Sequence, residues 1–283
     1  MWRSSKCRPT RPGPSWEKKD KHCVPSDPGD HEQGSYWDHV LLDTHSRLIV
    51  TLVIGKRTEE TVYQAFTDFY QRTDGQLPAL FTTDEYAAYL AAILDTYSVP
   101  KEALELTEEQ KAEFGWQEMP AVYFPVEIGY ATVQKVRKKG RVVEVKKRVR
   151  LGTQKQVGEA LAAGSTAATI NTSYVERLHG TQRHFNARKA RKVYTFSKEL
   201  VFHVAVTWLC VVYYNFGWFP RTLREKVHET PPRYHYRTPA MVAGLTDHGW
   251  SLENLLTYPV FPPLPPPTSR NKRHTRRKKS DGT

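Results

Sequence analysis

The segment "WDHVLLDTHSRLIVTLVIG", residues 37–55, decides the fold, because two apolar stretches flank a short polar turn. Residues 36–43 include an unbroken Val-Leu-Leu run, and residues 47–55 are rich in β-branched side chains. Runs of this length and composition, separated by a turn such as Thr-His-Ser, are typical of β-strands. We therefore expect two neighbouring strands of one sheet at this place.

Outward from this pair, helical and strand patterns alternate. Residues 57–73 form a predicted helix that begins after Thr58, a favourable residue at a helix start. Its helical spacing is carried by Val62, Ala65, Phe66 and Phe69. Residues 78–84 are a predicted third strand and residues 85–98 a second helix. This order predicts an α/β fold in which helices flank a mixed sheet.

The ends of the chain differ in composition from this middle part. Residues 1–35 are rich in proline, glycine and charge without periodicity, so we expect an irregular segment. Residues 196–216 predict a buried helix in which His203 is a core or edge histidine and not a catalyst, and residues 219–262 predict a C-terminal helical extension. Residues 263–283 predict a disordered Pro-rich and basic tail. No run of 18 apolar residues is present, which predicts no membrane span.

Net charge is the strongest compositional signal. The chain has 42 Lys and Arg residues against 30 Asp and Glu residues, a formal charge of +12. This excess favours a polyanionic partner, nucleic acid before a membrane surface. Three cysteines, Cys7, Cys23 and Cys210, are too few for a disulfide framework, which favours a reducing cytosol. The spacing of His22, Cys23 and His31 matches no standard zinc pattern.

Residues 130–153 alternate valine with lysine or arginine around a Lys-Lys-Gly-Arg turn, which predicts a cationic β-hairpin. The segment has nine cations and one acid, Glu144. Two interpretations stay open for it. It is either the solvated, charged edge of a sheet or a surface that contacts the DNA backbone.

Two carboxylates are candidate metal ligands. Asp84 ends the predicted third strand, and Glu176 is the only acid of "VERLHGTQRHFNARKARK", residues 175–192. Carboxylates suit hard divalent cations, and two Mg²⁺ ions about 4 Å apart can activate an attacking oxygen and stabilise a leaving oxygen in phosphoryl transfer. The cations after Glu176 would then hold DNA phosphates. The alternative is an acid neutralised by neighbouring arginines on a surface helix.

Four segments resemble bacterial insertion-sequence transposases of the DDE type, close to the insertion-sequence-one group. They are "WDHVLLDTHSRLIVTLVIGKRTEETV", "LFTTDEYAAYLAAIL", "INTSYVERLHGTQRHFNARKARKVYTFSK" and "TPAMVAGLTDHGWSLENLL". The resemblance implies a ribonuclease-H-like catalytic domain over residues 36–218, with the cationic β-hairpin in an insertion at about 99–160. It also implies Mg²⁺-dependent (or Mn²⁺-dependent) DNA cleavage and strand transfer, with Asp84 as the second catalytic acid and Glu176 as the third.

The same resemblance implies the partners and the location. The partners are DNA, at transposon ends and target, and further copies of the full-length chain in a homo-oligomer, with no membrane. The location is the bacterial cytoplasm, on the nucleoid. The expected DNA-binding residues are Arg177, Arg183, Arg188, Lys189, Arg191, Lys192, Lys138, Lys139 and Arg141.

The family's first catalytic acid lies on the first strand of the sheet, but residues 5–16, "SKCRPTRPGPSW", cannot form a central strand. Asp43 and Asp20 are poor substitutes, since Asp43 ends the second strand and Asp20 lies in a loop. Codons for residues 5–16 can be chosen so that reading from the third base yields EVQADEAWSFV, an alternating strand with an acid. We therefore expect residues 1–16 to be out of frame. The chain is then a truncated or frameshifted copy that lacks the first catalytic Asp and is inactive alone.

Other functions share part of this pattern. A non-catalytic DNA-binding protein or regulator derived from a transposase would keep the cations without the chemistry. A nuclease or Holliday-junction enzyme would cleave without strand transfer. A structural, ribosome-associated basic protein is disfavoured by the aromatic content of the core and by the pair Asp84 and Glu176.

Overall fold

The computed structural model describes residues 2–6, 24, 26, 35–104, 106–113, 117, 121–125, 127–164, 169–189 and 199–259. In chain order its strands are β1 Trp2–Lys6, β2 Trp37–Asp43, β3 Ile49–Gly55, β4 Leu80–Asp84, β5 Val99–Pro100, β6 Val122–Tyr123, β7 Gly129–Lys138, β8 Arg141–Leu151, β9 Glu225–His228 and β10 Arg233–His235. Six of them form one mixed sheet in the order β3-β2-β1-β4-β7-β8. The pairs β5–β6 and β9–β10 are separate two-stranded sheets.

Helices cover both faces of the six-stranded sheet. In chain order they are α1 Glu59–Arg72, α2 Ala88–Tyr97, α3 Glu108–Glu113, α4 Gln154–Ala163, α5 Ser173–Phe185, α6 Leu200–Val212, α7 Pro239–Val242 and α8 Leu252–Thr257. Residues of α1 and α2 pack with Leu41, Phe81 and Tyr130 on one face. On the other face α5 packs over β2 and β3, and α4 packs over β4 and β7.

The predicted α/β architecture is confirmed, because a mixed sheet lies between helices. The strands expected at 36–43, 47–55 and 78–84 are β2, β3 and β4. Helix α1 begins after Thr58, whose side chain accepts a hydrogen bond from the backbone N–H of Thr61. That bond satisfies one of the free amide groups at the helix start. Local pattern and capping chemistry therefore agree with the tertiary structure over this part of the chain.

Strand direction places several chain ends at one end of the sheet. Strand β4 is parallel to both β1 and β7, and β2 is antiparallel to β1. The carboxyl ends of β1, β4 and β7 therefore lie together, beside the amino end of β2. Asp84, the last residue of β4, lies at this end.

The N-terminal segment is not irregular throughout, contrary to the expectation for residues 1–35. Strand β1 occupies the slot between β2 and β4, with Trp2 opposite Asp43 on one side and opposite Phe81 on the other. Pairing with two neighbours needs only backbone N–H and C=O groups, so a residue pattern without alternation does not prevent it. Most of the proposed out-of-frame segment, residues 7–16, lies outside the described residues, as do Asp20, His22, Cys23 and His31.

Residues 129–151, assigned above to an insertion, include two strands of the central sheet. Strand β7 pairs with β4 from Leu80 opposite Gly129 to Asp84 opposite Val133. Beyond Val133, β7 continues with β8 alone, and Lys139-Gly140 connects the two antiparallel strands. We call residues 134–147 the cationic arm. Its β7 half of five residues projects about 17 Å past the end of β4.

Helix α6 is only partly buried, contrary to the expectation of a buried helix. His203, Thr207 and Val211 line its buried side, whereas Val201 and Phe202 are exposed to 74% and 58%. Segment Leu200–Leu223 also has the length and composition of a membrane span, the one such stretch among the described residues. Val211 packs into the core with Leu42 and Leu178, so α6 is a helix of this fold.

The C-terminal extension contains strands as well as helices. Residues 219–262 were expected to be helical, but β9 and β10 form a two-stranded antiparallel sheet between α6 and α7. The helices α7 and α8 are one to two turns long. The predicted tail, residues 263–283, lies outside the described residues.

The Asn215 side chain forms hydrogen bonds with the backbone of the edge strand β3. It is buried in a π-helical turn, Tyr213–Gly217, after α6. Its Oδ1 accepts from the Ile49 backbone N–H at 3.0 Å and its Nδ2 donates to the Ile49 carbonyl at 2.9 Å. Strand β3 has β2 as its one sheet partner among the described strands, so Asn215 replaces a missing strand at this residue.

We expect Asn215→Ala to lower the free energy of unfolding by about 1–3 kcal/mol, because both Ile49 backbone groups lose their buried partner. Urea unfolding followed by circular dichroism measures this change. The exposed amide Gln154 provides a control, since Gln154→Ala should change stability by less than about 0.5 kcal/mol. Equal losses of unfolding free energy for the two substitutions would show that the Asn215 hydrogen bonds do not stabilise the edge strand.

Candidate metal and nucleic-acid site

Asp84 lies on the sheet face that carries α4 and α5. Side chains alternate along a strand, and Leu80 of β4 packs with Ala131, Val133 and α4 on this face. Asp84 has the same parity as Leu80 and therefore lies on the same face. Thr83 points to the other face, where its hydroxyl is hydrogen-bonded with the Tyr130 hydroxyl at 2.7 Å. One carboxylate oxygen of Asp84, Oδ1, is shielded from solvent.

Glu176 lies over the same end of the sheet, in the first turn of α5. Its carboxylate forms an ion pair with Lys135 of β7, and Oε1 also accepts from the Thr172 hydroxyl at 3.1 Å. Lys135 is two residues beyond Val133, the partner of Asp84. Strand geometry puts the Cα atoms of Asp84 and Lys135 about 8 Å apart. The structure thus brings Asp84 and Glu176 to one face and one end, with the Lys135 ammonium beside them.

The two acids are of the ligand type that a hard divalent cation prefers. Mg²⁺ is commonly bound through one or two carboxylates, with water and substrate phosphate as the other ligands. The dipole of α5 also favours the negative charge of Glu176, because this residue lies in the first turn of the helix. A two-metal site needs a further shared ligand. Among the described residues no group of three His, Cys, Asp or Glu side chains is placed to hold a metal ion, and β1 reads Trp-Arg-Ser-Ser-Lys, without an acid.

Neither Asp43 nor Glu85 completes this set. Asp43 ends β2 at the opposite end of the sheet and caps a turn, with its Oδ2 accepting from the Ser46 N–H at 2.9 Å and from the Ser46 hydroxyl. Glu85 follows Asp84 but accepts from Arg148 at 2.7 Å and Arg150 at 2.6 Å. The Glu85 contacts fasten β8 to the end of β4. Both acids therefore have structural roles.

Most of the expected DNA-binding residues that the structure describes are exposed. The exposed set is Arg177, Arg183, Arg188, Lys138, Lys139 and Arg141. The first two lie on α5, Arg188 follows in a 3₁₀ turn, and the others form the tip of the cationic arm. Arg191 and Lys192 lie outside the described residues.

Lys189 is not available to bind DNA, contrary to the expectation. It is buried, and its ammonium donates to Oδ2 of Asp38 on β2, 151 residues away in sequence. His203 of α6 lies on the other oxygen, with Nε2 at 3.7 Å from Oδ1. Burial by itself raises the pKa of Asp38, but the attraction of Lys189 and the nearby His203 outweighs it and holds that pKa below its usual range. A buried carboxylate needs such a partner, which accounts for the inward turn of Lys189.

The sequence contains a partial signal for the Asp38–Lys189 contact and a weaker one for the Lys135–Glu176 contact. Asp38 shares the parity of Val40 and Leu42 on β2, so strand alternation places an acid on a buried face. A buried acid predicts a cationic partner without saying which one. Lys135 was part of the predicted hairpin, but its contact with Glu176 depends on how α5 packs.

Comparison with known proteins gives no match. No family model, no curated protein and no solved structure is recognisably similar to this chain.

Proposed function

We propose that this chain is a DNA-binding derivative of a DDE-type insertion-sequence transposase, in which Asp84 and Glu176 are the remaining metal-binding acids. The observation that carries the proposal is the placement of both acids on one face and at one end of the sheet. The cationic arm projects from the same end. Carboxylates beside a cationic surface suit metal-assisted chemistry on a phosphodiester.

The topology supports a ribonuclease-H-like assignment of the catalytic domain. The first strand is central, and Asp84 ends the parallel strand beside it. The last acid comes from a helix that packs over the same face, α5. In this proposal β7 and β8 form a family-specific cationic hairpin whose base extends the sheet.

The residues divide the work of DNA binding and chemistry. Asp84 and Glu176 would hold Mg²⁺ or Mn²⁺, which when bound supplies activation of the attacking oxygen and stabilisation of the leaving oxygen. Exposed arginines of α5 and cations of the arm hold backbone phosphates on either side, which fixes the register of the duplex without reading its sequence. Because β1 supplies no carboxylate, the chain as it stands binds DNA and does not cleave it.

A plasmid nicking assay tests this division. We expect the chain to bind duplex DNA and to leave supercoiled plasmid intact in Mg²⁺. Glu176→Ala should leave DNA affinity within about twofold, because the acid contributes no phosphate contact. Mg²⁺-dependent cleavage by the unaltered chain would contradict the proposal, and cleavage without strand transfer would favour a nuclease of the same fold.

The proposed partners are transposon-end and target DNA in the bacterial nucleoid, together with further copies of the full-length protein in a homo-oligomer.

The cationic arm should account for much of the salt dependence of DNA binding. We expect Lys138→Gln, Lys139→Gln and Arg141→Gln together to reduce the slope of log K against log salt by about 2.7, since each lost phosphate contact removes about 0.9. Fluorescence anisotropy of a labelled duplex, measured at about 50–200 mM salt, gives the slope.

A triple variant of equal charge change is the matched control. Arg72, Lys111 and Lys155 lie on α1, α3 and α4, and each is paired with an acid of its own helix. Their replacement by glutamine should change the slope by less than about 1. Equal slopes for the two triple variants would mean that net charge, and not the arm, accounts for binding.

A further inference from the structure

The carboxylate of Glu176 already carries a cation from the chain itself. The Lys135 ammonium and the Thr172 hydroxyl both donate to the same oxygen, Oε1. The Lys135 and Glu176 side chains are 31% and 55% exposed. An exposed ion pair is weak and exchanges readily with other ions. The pair therefore contributes little to stability, and its position beside Asp84 is the feature that bears on function.

Lys135 reaches Glu176 from the strand that adjoins Asp84. Val133 pairs with Asp84, and Lys135 is the next residue on the same face of β7. On β8, Lys147 lies opposite Val133 and shares this face. Two cations, Lys135 and Lys147, thus lie on this face beside the two acids at the base of the arm, where a phosphate backbone would pass.

We propose that Lys135 is a positioning residue that holds Glu176 when no divalent cation is present and contacts the DNA phosphate once a cation has taken the carboxylate. This inference rests on the proposed function, since it assigns Asp84 and Glu176 to a metal ion. Two cations cannot share Oε1 without strong repulsion, so the ammonium and the metal compete. The released ammonium is then available to a phosphate that the metal binds.

Competition has a direct readout in metal binding. In a Mn²⁺ titration of the full chain, followed by the electron paramagnetic resonance signal of free Mn²⁺, Lys135→Met should bind Mn²⁺ roughly threefold to tenfold more tightly. The matched control is Lys146→Met. Lys146 is also on the arm and also paired with an acid, Glu144 at 3.6 Å, but it lies opposite Gln134 and so on the other face. This control should bind Mn²⁺ as the unaltered chain does.

Salt dependence of DNA binding provides the second readout. With Mn²⁺ present, Lys135→Met should reduce the slope of log K against log salt by about 0.9, the value of one phosphate contact. Without a divalent cation the slope should not change, because Lys135 is then bound to Glu176. A surface ion pair without this role would give the same slope difference in both conditions.

The outcomes separate this inference from the proposed function. Tighter Mn²⁺ binding by Lys135→Met than by Lys146→Met, lost on adding Glu176→Gln, supports competition at Glu176. Equal Mn²⁺ affinity of Lys135→Met and the unaltered chain overturns the role of Lys135 and leaves the metal site standing. Failure of both chains to bind Mn²⁺ overturns the metal site and the inference with it. Circular dichroism of each variant shows whether the fold is retained.

Discussion

Replacing residues 5–15 with EVQADEAWSFV should give the chain Mg²⁺-dependent DNA nicking, which we do not expect of the unaltered chain. The new segment would displace Trp2–Lys6 from the position between β2 and β4 and supply there an alternating strand with an acid, next to the strand that ends in Asp84. In the proposed site a third carboxylate would complete the ligands for two metal ions, which would stabilise the attacking and leaving oxygens by several kcal/mol. Nicking of supercoiled plasmid should then rise by roughly 10²-fold or more over the unaltered chain.

Two controls show whether the gain comes from the acids. The same replacement with alanine at the aspartate of EVQADEAWSFV keeps the strand pattern and should not nick DNA. Adding Glu176→Gln to the restored chain should also abolish nicking, although DNA binding stays. The gene itself offers an independent check, because its nucleotides at codons 5–16 either encode this strand from the third base or do not. A restored chain that remains inactive would argue against the out-of-frame interpretation.

The largest expected loss of stability follows from Lys189→Met. This substitution leaves the Asp38 carboxylate buried without its cation, which should lower the free energy of unfolding by about 3–5 kcal/mol. Urea unfolding followed by circular dichroism measures the loss. Lys226 provides the matched lysine, because its pair with Glu229 is exposed. Lys226→Met should change the free energy of unfolding by less than about 0.5 kcal/mol.

The partner residue and the pH dependence identify the cause. Asp38→Leu combined with Lys189→Met should recover most of the lost stability, because no uncompensated charge remains buried. The folded-state pKa of Asp38 is lowered, so its stabilising contribution is present above the usual pKa of about 4 and is lost as the pH falls below that value. The difference between the unaltered chain and Lys189→Met should therefore narrow below about pH 4. A constant difference would mean that lost packing, and not the ion pair, explains the effect.

Three strands of the sheet and the helix α1, which packs on one face of it, could be predicted from local sequence patterns. The apolar strands β2 and β3, the capped helix α1 and the strand that ends in Asp84 are all written in short runs of residue types. Strand and helix periods are properties of neighbouring residues, so they can be read without knowing the fold. The same reading placed an acid at the end of β4 and another at the start of α5.

Long-range pairing could not be read in this way. The central position of the sheet is decided by the unpaired edges of β2 and β4, which accept any proline-free backbone of suitable length, and Trp2–Lys6 occupies it without a strand pattern. In the same way, Lys189 stands in a run of cations typical of a solvated surface. It is buried because Asp38, distant in sequence, lies on the inner face of β2.

The residue order alone thus established the α/β class, the cationic character and the two candidate acids, because periodicity and charge are local properties. The tertiary structure decided which of the cations face solvent, which one neutralises a buried acid, and which one meets Glu176. Those outcomes depend on the desolvation of charges when distant segments pack together. Desolvation is a property of the folded surroundings, and no short stretch of sequence contains it.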